Sequence, residues 1–261
     1  MNVGFIGAGH IAGAMARGWH ASRDAETPSL LFYDIAPRRA AELAETCSGV
    51  AFTAVDQLVR ASDLVFVAVR PQDVGAALAA VGPHLEGRGV VSLAAGVNLE
   101  QLCAALPADA AVARLMPNVA AELGLGVFLL VLGTLGVQAA PLRRSLETIG
   151  TTVELDECVF DVATAVSGCM PGFMAFIIEA LAGAARQGGL DEQTARRLAV
   201  AAAHGAAATV AEAGDPAAVM TATATPGGMT SAGLAALRAS GLTSAIEGAV
   251  GAAAARAKEL A

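Results

Sequence analysis

Residues 7–12 (GAGHIA) have the types and spacing to bind a phosphate-bearing cofactor. They follow an apolar run, precede a helical pattern and match G-x-G-x-x-A. In that pattern the first glycine permits a tight turn, the second lets the backbone approach a pyrophosphate, and the third small residue packs helix on strand. Unpaired N–H groups at the helix start face the phosphates. The alternative is a plain structural turn. The predicted cofactor residues here are Gly7, Gly9, His10, Ile11 and Ala12.

Residues 225–230 (TPGGMT) form a second stretch that could hold an anion. They interrupt alanine-rich, helix-forming sequence. Proline followed by two glycines breaks a helix and exposes backbone N–H groups. Two interpretations remain open: an anion-binding nest at a helix start, or a turn between helices. Because the net charge of the chain is −8, local dipoles rather than overall charge would have to attract the anion.

Asp34 closes the second apolar run, LLFYD, and bears on cofactor choice. An acid at this position hydrogen-bonds the ribose 2′-hydroxyl and repels a 2′-phosphate, which favours NADH. Arg38 and Arg39 follow one helical turn later and could hold that phosphate instead, which would favour NADPH. Asp34 could also serve only to cap the helix that starts near Pro37. We expect NADH or NADPH as cofactor, with NADH preferred.

Alternating strands and helices would position these residues. Five short apolar runs (VGFIG, LLFYD, LVFVAV, GVVSL and AVARL) are separated by segments with helical spacing. This alternation predicts a Rossmann-like, doubly wound parallel α/β sheet over residues 1–154. The uncharged stretch 123–142 is interpreted as a buried strand, 126–132, and a turn rather than a membrane helix. Residues 155–261 are rich in alanine, leucine and glutamate and predict a second, all-α domain.

The overall composition excludes several kinds of partner. The chain is 55% hydrophobic and 15% charged, with a mean hydropathy of +0.59, which favours an oligomer with a large apolar interface. Its net negative charge argues against nucleic acid and anionic membranes. Four scattered cysteines without C-x-x-C spacing suggest reduced thiols and no metal site. With no basic leader at the N-terminus, we expect a cytoplasmic protein.

Three more motifs, VRPQ (69–72), RLMPN (114–118) and SGCMP (167–171), join the two glycine stretches. In this order and spacing the chain resembles the pyrroline-5-carboxylate reductase family over nearly its whole length. The resemblance implies NAD(P)H-dependent reduction of a cyclic imino acid, in the first instance Δ1-pyrroline-5-carboxylate to L-proline. It also implies that the all-α domain is a dimerisation domain and that the substrate loop serves a pocket shared between subunits of a homodimer or higher oligomer.

The resemblance assigns further residues to the cofactor. Val69 and Pro71 would line the cofactor channel. The SLAAGV loop would approach the nicotinamide, and the MPN segment would border the nicotinamide and the imine. The residues implied in these two segments are Ala94, Ala95, Gly96, Met116 and Pro117, together with Asn118 as a substrate ligand.

The resemblance also assigns the substrate pocket to TPGGMT. Backbone N–H groups would hold the substrate carboxylate, and the hydroxyl of Thr230, the implied catalytic residue, would reach the imine nitrogen. Because no acidic or histidine proton donor falls in the pocket motifs, the proton would come from an iminium substrate or from water through Thr230. The other implied substrate ligands are Thr225, Gly227, Gly228 and Met229.

Several positions depart from the family pattern. Val119 and Ala120 replace a usual Thr-Pro, Met229 replaces a threonine, and residues 169–173 (CMPGF) replace S-G-P-A-Y. These changes make the pocket more apolar and leave two alternatives: a related, for example six-membered, cyclic imine, or a cofactor-binding relative without turnover. A hydroxyacid-type dehydrogenase is disfavoured, because such enzymes use a helix lysine and Lys258 is the only lysine here.

Overall fold

The structure is a computed structural model that describes residues 1–259, so the last two residues of the predicted helical domain, 260–261, lie outside it. The strands are β1 Asn2–Ile6, β2 Ser29–Tyr33, β3 Val50–Ala51, β4 Leu64–Val67, β5 Gly89–Ser92, β6 Ala111–Met116, β7 Gly126–Val131 and β8 Gly150–Glu154. The helices are α1 His10–Ala21, α2 Pro37–Cys47, α3 Val55–Ala61, α4 Val74–Val81, α5 Leu99–Ala104, α6 Ala139–Glu147, α7 Phe160–Ser167, α8 Met170–Gln187, α9 Glu192–Ala213, α10 Pro216–Thr223, α11 Met229–Ala239 and α12 Leu242–Glu259.

The eight strands form one sheet in the order β3-β2-β1-β4-β5-β6-β7-β8. Every neighbouring pair is parallel except β6 and β7, which are antiparallel. The prediction of a doubly wound, largely parallel sheet is therefore confirmed. The predicted buried strand at 126–132 is also present, as β7.

Two hydrophobic clusters cover the two faces of this sheet. Phe5 and Phe66 point into one cluster, where Phe5 stacks on Phe32 with ring centroids 5.6 Å apart. Val65 and Val67, on either side of Phe66 in β4, point into the other cluster. Central parallel strands are buried on both faces, which explains why they are continuous apolar runs rather than alternating ones. The sheet is thus a rigid support for the loops at its ends.

Contacts divide the chain into two compact units, which differ in how they are built. The first unit comprises Met1–Cys169 and the end of the chain from Gly251, and it contains the whole sheet. The second, Met170–Val250, is entirely helical. Within it, α8 packs on α9 through three buried alanines, Ala182, Ala195 and Ala199. The boundary predicted between residues 154 and 155 remains a prediction.

One helical segment, Glu157–Gln187, is long and apolar enough to cross a membrane by length and composition, with a mean hydropathy of 1.6. It contains α7 and α8, with a turn at Gly168 and Cys169 between them. Such a segment alone is weak evidence for a membrane protein. Only 17% of its apolar window is buried, so much of its apolar surface is exposed.

Candidate cofactor and substrate sites

The predicted cofactor residues lie at one edge of the sheet. Strand register places Ile6 beside Tyr33 and Val67, Val67 beside Ser92, and Ser92 beside Arg114. The carboxyl ends of five strands therefore meet, and the loops that leave them carry Gly7, Asp34, Val69, Gly96 and Pro117. The chain order reverses between β1 and β4, and ligands of open α/β sheets bind at such a reversal.

The two glycines of the first turn are needed for different reasons. Gly7 has φ +100°, and a Cβ there would lie 2.7 Å from the Ala68 carbonyl oxygen, so the fold itself requires glycine. A Cβ on Gly9 would meet nothing within 4 Å. The protein leaves open space at the start of α1, where a cofactor pyrophosphate would lie close to the protein backbone. Ala12 is fully buried where α1 packs on the sheet, as the third position of the pattern requires.

His10 and Ile11, the other two predicted residues of this turn, lie in the first turn of α1. His10 is the first residue of the helix and is exposed to solvent. Ile11 is half-buried and packs against the hydrophobic cluster that contains Phe5. The side chain of His10 is thus free to face a phosphate, whereas that of Ile11 supports the helix.

A cavity of about 620 Å³ extends from the glycine turn along the ends of β1, β2 and β4. Gly7, Gly9, Asp34 and Val69 line it, as predicted. The sequence interpretation missed other wall residues, which include Tyr33, Ile35, Asp73 and Ala77. These wall residues lie next to Asp34 or in the helical segment that follows VRPQ, so their closeness to the predicted motifs could have identified them. The cavity size suits the adenosine half of a dinucleotide.

The Asp34 carboxylate is held by the backbone at both oxygens. Its Oδ2 accepts the Ala8 N–H at 2.8 Å, and its Oδ1 accepts the Ala36 N–H at 2.8 Å. Only 8% of the residue is exposed. Asp34 therefore joins the glycine turn to the residue before α2. Neither sequence interpretation included the bond to Ala8, and Asp34 does not cap α2 as one of them proposed, because the N-cap is Ala36 and no side chain caps the helix. A carboxylate has about four acceptor positions, so a ribose hydroxyl could still bind it.

Replacing Asp34 by asparagine is expected to shift cofactor preference toward NADPH. The amide keeps the size of the side chain and removes the charge that repels a 2′-phosphate. Its NH2 group cannot accept one of the two backbone N–H groups, so affinity for both cofactors should also fall, and the ratio between the cofactors is the informative quantity. We expect the ratio of kcat/KM with NADH to that with NADPH to fall about tenfold, which corresponds to about 1.4 kcal/mol. Steady-state kinetics with both cofactors measure this ratio. Asp63→Asn is the matched control. Asp63 also accepts a backbone N–H, that of Asn2 at 2.7 Å, but it lies at the amino ends of the strands, away from the proposed cofactor site. An unchanged ratio in Asp34→Asn would contradict the ribose assignment.

The loops after β4, β5 and β6 carry the residues predicted for the nicotinamide side. Pro71 begins a short 3₁₀ turn before α4. Ala94 is buried, Ala95 is half-buried and Gly96 has φ +79°. Met116 ends β6, and Pro117 follows it and is buried. These assignments remain predictions.

The Asn118 side-chain amide makes two hydrogen bonds within the protein. Its Oδ1 accepts the Val127 N–H at 3.2 Å, and its Nδ2 donates to the Ser167 carbonyl at 3.1 Å. Only 7% of the residue is exposed. The side chain therefore fixes the end of β6 against β7 and α7. A contact of Asn118 with substrate remains a prediction, and each amide atom keeps one further hydrogen-bonding position for it.

An ion pair ties α1 to the turn that follows Asn118. Arg17 donates through Nε and Nη2 to the two carboxylate oxygens of Glu122, at 2.7 and 2.9 Å. These hydrogen bonds lower the pKa of the Glu122 carboxyl and raise that of the Arg17 guanidinium. The helix that starts at the glycine turn is thereby fixed to the segment that follows MPN.

The TPGGMT loop has the geometry of a helix start preceded by a tight turn. The Gly228 N–H donates to the Thr225 carbonyl at 2.9 Å, and Gly227 has φ +72°, which are the features of a type II turn with Pro226 second. Gly228 is the N-cap of α11 and makes no side-chain cap bond. A Cβ on Gly228 would lie 2.4 Å from Thr225 Oγ1. The turn therefore favours glycine at Gly227 through its φ, and a side chain at Gly228 would displace the Thr225 hydroxyl.

The start of α11 presents free groups to solvent. Helices leave their first N–H groups without intrahelical partners, and here these begin at Met229 and Thr230. Both residues are exposed, Met229 at 93%. The Gly228 N–H is already used by the turn. Within the described residues no group of three His, Cys, Asp or Glu side chains could hold a metal ion.

A glycine turn at the strand-order reversal of a doubly wound sheet, followed by a helical unit, defines an oxidoreductase of the Rossmann type. A family model described as NADP oxidoreductase, coenzyme F420-dependent, matches residues 2–96, and one described as pyrroline-5-carboxylate reductase dimerisation matches residues 157–260. The pyrroline-5-carboxylate reductase of Mycobacterium leprae is 34% identical, over 99% of this chain and 96% of its own length. The chain belongs to the pyrroline-5-carboxylate reductase family.

Solved structures agree with this assignment. The structure of a pyrroline-5-carboxylate reductase from Coxiella burnetii is 25% identical, covers 100% of this chain and 98% of that chain, and has a TM-score of 0.90. The Plasmodium falciparum pyrroline carboxylate reductase, solved with NADP bound, covers the same shares at 24% identity and a TM-score of 0.88. At that identity the second likeness concerns the fold.

Proposed function

We propose that this chain reduces Δ1-pyrroline-5-carboxylate to L-proline with NADH or NADPH, and that Asp34 favours NADH. The open space over Gly9, at the end of the sheet that carries the GAGHIA, VRPQ and MPN segments, carries this proposal. The protein there has no side chain where a cofactor pyrophosphate would lie. A bound reduced nicotinamide would supply the hydride.

Residues of the first unit would hold the cofactor along the sheet edge. Gly7, Gly9 and the start of α1 would receive the pyrophosphate, and the cavity beside Asp34 would receive the adenosine. Val69 and Pro71 would line the channel toward the nicotinamide, and Ala95, with its short side chain, would let the ring approach the loop. Met116 and Pro117 would border the ring from the next strand.

The start of α11 would hold the substrate carboxylate. The N–H groups of Met229 and Thr230 point along the helix axis toward any anion placed at the N-terminus, and the helix dipole adds a partial positive charge. Gly227 has no side chain to block the approach of the carboxylate. Its φ of +72° is a left-handed conformation that residues with side chains rarely adopt. This local charge offsets the net charge of −8.

Thr230 would supply the proton path to the imine nitrogen. Its hydroxyl lies in the first turn of α11, next to the N–H groups proposed for the carboxylate. A hydroxyl can accept a hydrogen bond from an iminium N–H or pass a proton from water to a neutral imine. The hydride and the proton would thus reach adjacent atoms of the same C=N bond.

The proposed enzyme is a cytoplasmic homodimer or a higher oligomer of it. The segment that matches the dimerisation model contains exposed apolar side chains such as Phe176, Leu181 and Leu198. Covering these residues with a second copy removes apolar surface from water, which is favourable by about 25 cal/mol per Å². This use of the Glu157–Gln187 segment needs no membrane.

Loss of nicotinamide absorbance with pyrroline-5-carboxylate and its six-membered homologue, side by side, tests the proposal. Turnover of the five-membered imine is the expected result. Turnover of the larger imine alone would mean that Val119, Met170 and Met229 have reshaped the pocket. Cofactor binding without turnover of either imine would contradict the proposal and favour a non-catalytic relative.

A further inference from the structure

An ion pair between a buried arginine and a half-buried glutamate joins segments next to the two loops proposed to face the nicotinamide: the side chain of Arg114 is 3% exposed and that of Glu157 is 35% exposed. Arg114 lies in β6, and its Nη1 donates to Glu157 Oε1 at 2.5 Å. The Arg114 guanidinium also lies 4.1 Å from the centroid of the Phe160 ring. The same Oε1 of Glu157 accepts the Leu99 N–H at 3.3 Å. One carboxylate oxygen therefore binds two separate segments.

The positions of these partners place Glu157 between two parts of the proposed cofactor site. Arg114 precedes Met116 by two residues, and Leu99 follows Gly96 by three. The strands β5 and β6 that lead into these loops are neighbours, with Ser92 beside Arg114. Glu157 itself precedes α7 and belongs to neither loop. It thus fixes the loop after β5 against the end of β6 from a third segment.

Stability alone is a poor reason for this arrangement. Burying the Arg114 guanidinium costs desolvation energy that its attraction to a half-buried carboxylate often does not exceed, so a well-packed apolar residue commonly does as well. In the described part of the chain, Arg114 Nε and Glu157 Oε2 are buried without a hydrogen-bond partner. Two polar atoms of the pair therefore lack hydrogen bonds, yet the pair fixes the positions of two segments relative to each other.

We propose that Glu157 is a positioning residue for the reductase reaction, acting through Arg114 and the Leu99 N–H on the loops that carry Gly96 and Met116. This inference rests on the proposed function. Hydride transfer needs the reacting atoms at near-attack distance, and a misplacement of about 1 Å can cost about 100-fold in rate. Cofactor affinity arises mainly at the pyrophosphate and adenosine, which contact other segments. Loss of Glu157 should therefore lower kcat more than it weakens cofactor binding.

Two variants separate positioning from charge burial. Glu157→Gln keeps the shape and an acceptor for Leu99 but weakens the pair with Arg114. The double variant Arg114→Met with Glu157→Leu removes both charges and refills the space, so the fold should persist even if the single variant is unstable. Glu154→Gln is the matched control, because Glu154 pairs with Arg143 in the same unit but is about half exposed. The readouts are kcat, cofactor Kd, and hydrogen–deuterium exchange of residues 93–99.

We expect kcat to fall about 10- to 100-fold in both variants, with cofactor Kd within about threefold of wild type and faster exchange over residues 93–99. Glu154→Gln should match wild type in all three. Wild-type kcat and exchange in both variants would overturn the role of Glu157, as would recovery of wild-type kcat in the double variant. A wild-type protein that binds cofactor but reduces neither imine would instead overturn the proposed function.

Discussion

Gly9→Ala is expected to weaken cofactor binding about 10- to 100-fold with only a small fall in the melting temperature. The new Cβ meets nothing within 4 Å in the protein, so the only cost to the fold is that alanine is a poorer N-cap than glycine at the start of α1. The Cβ would, however, occupy the space where the cofactor pyrophosphate approaches the start of α1. Hydrogen bonds to a charged group contribute about 1.5–3 kcal/mol each, and losing one corresponds to about this change in Kd.

Energy transfer from Trp19, the only tryptophan, to bound NADH measures the affinity. Gly75→Ala is the matched control, since its Cβ also meets nothing within 4 Å but lies in α4, where alanine should add about 0.5–1 kcal/mol of stability. Gly7→Ala provides the contrast: the Ala68 carbonyl at 2.7 Å should make it lose stability as well as affinity. Wild-type affinity in Gly9→Ala would contradict the placement of the pyrophosphate.

Thr230→Ala should lower kcat with pyrroline-5-carboxylate about 100-fold and leave the NADH dissociation constant nearly unchanged. The substitution removes the one hydroxyl proposed to reach the imine nitrogen, and a positioned proton donor typically contributes about 10²- to 10⁴-fold. Alanine keeps the backbone N–H that is proposed for the carboxylate, so KM for the imine should change less than kcat. Steady-state kinetics and a separate cofactor titration provide the two numbers.

Two further variants make this test specific. Thr230→Ser restores the hydroxyl and should recover most of the activity. Thr223→Ala removes a hydroxyl seven positions earlier that already donates to the Val219 carbonyl at 2.8 Å, so it should behave as wild type. Equal turnover in Thr230→Ala and wild type would remove Thr230 from the mechanism, whatever its effect on the imine KM.

Much of the sheet could be predicted because its strands are buried on both faces. Apolar runs such as LVFVAV leave few other interpretations, and the helical spacing between them fixes the parallel order. The pattern missed β3, with two residues, and β8, whose residues are mostly exposed or half-buried, because neither is a continuous apolar run. It also gave no sign that β7 runs antiparallel to β6, since burial alone does not fix strand direction.

The site was predicted unevenly for a related reason. Glycine positions could be found because local turn geometry demands them, as at Gly7 and Gly227. Side-chain partnerships between distant segments could not. Arg114 and Glu157 are 43 residues apart, and although Arg114 begins the RLMPN motif, nothing in the sequence pairs it with Glu157. The same holds for Asp34, whose bond to Ala8 depends on the pairing of β1 with β2. Such contacts depend on strand order, which motifs do not specify.

The helical unit also sets how this protein must fold. Within Met170–Val250 the buried apolar side chains are three alanines, which together bury little surface. A layer this thin cannot offset the conformational entropy of ordering five helices, at about 1–2 kcal/mol per residue. In the proposed homodimer, a neighbouring copy would supply the missing apolar contacts. Folding of this unit would then be a bimolecular event, and its midpoint would rise with protein concentration, as for any obligate assembly.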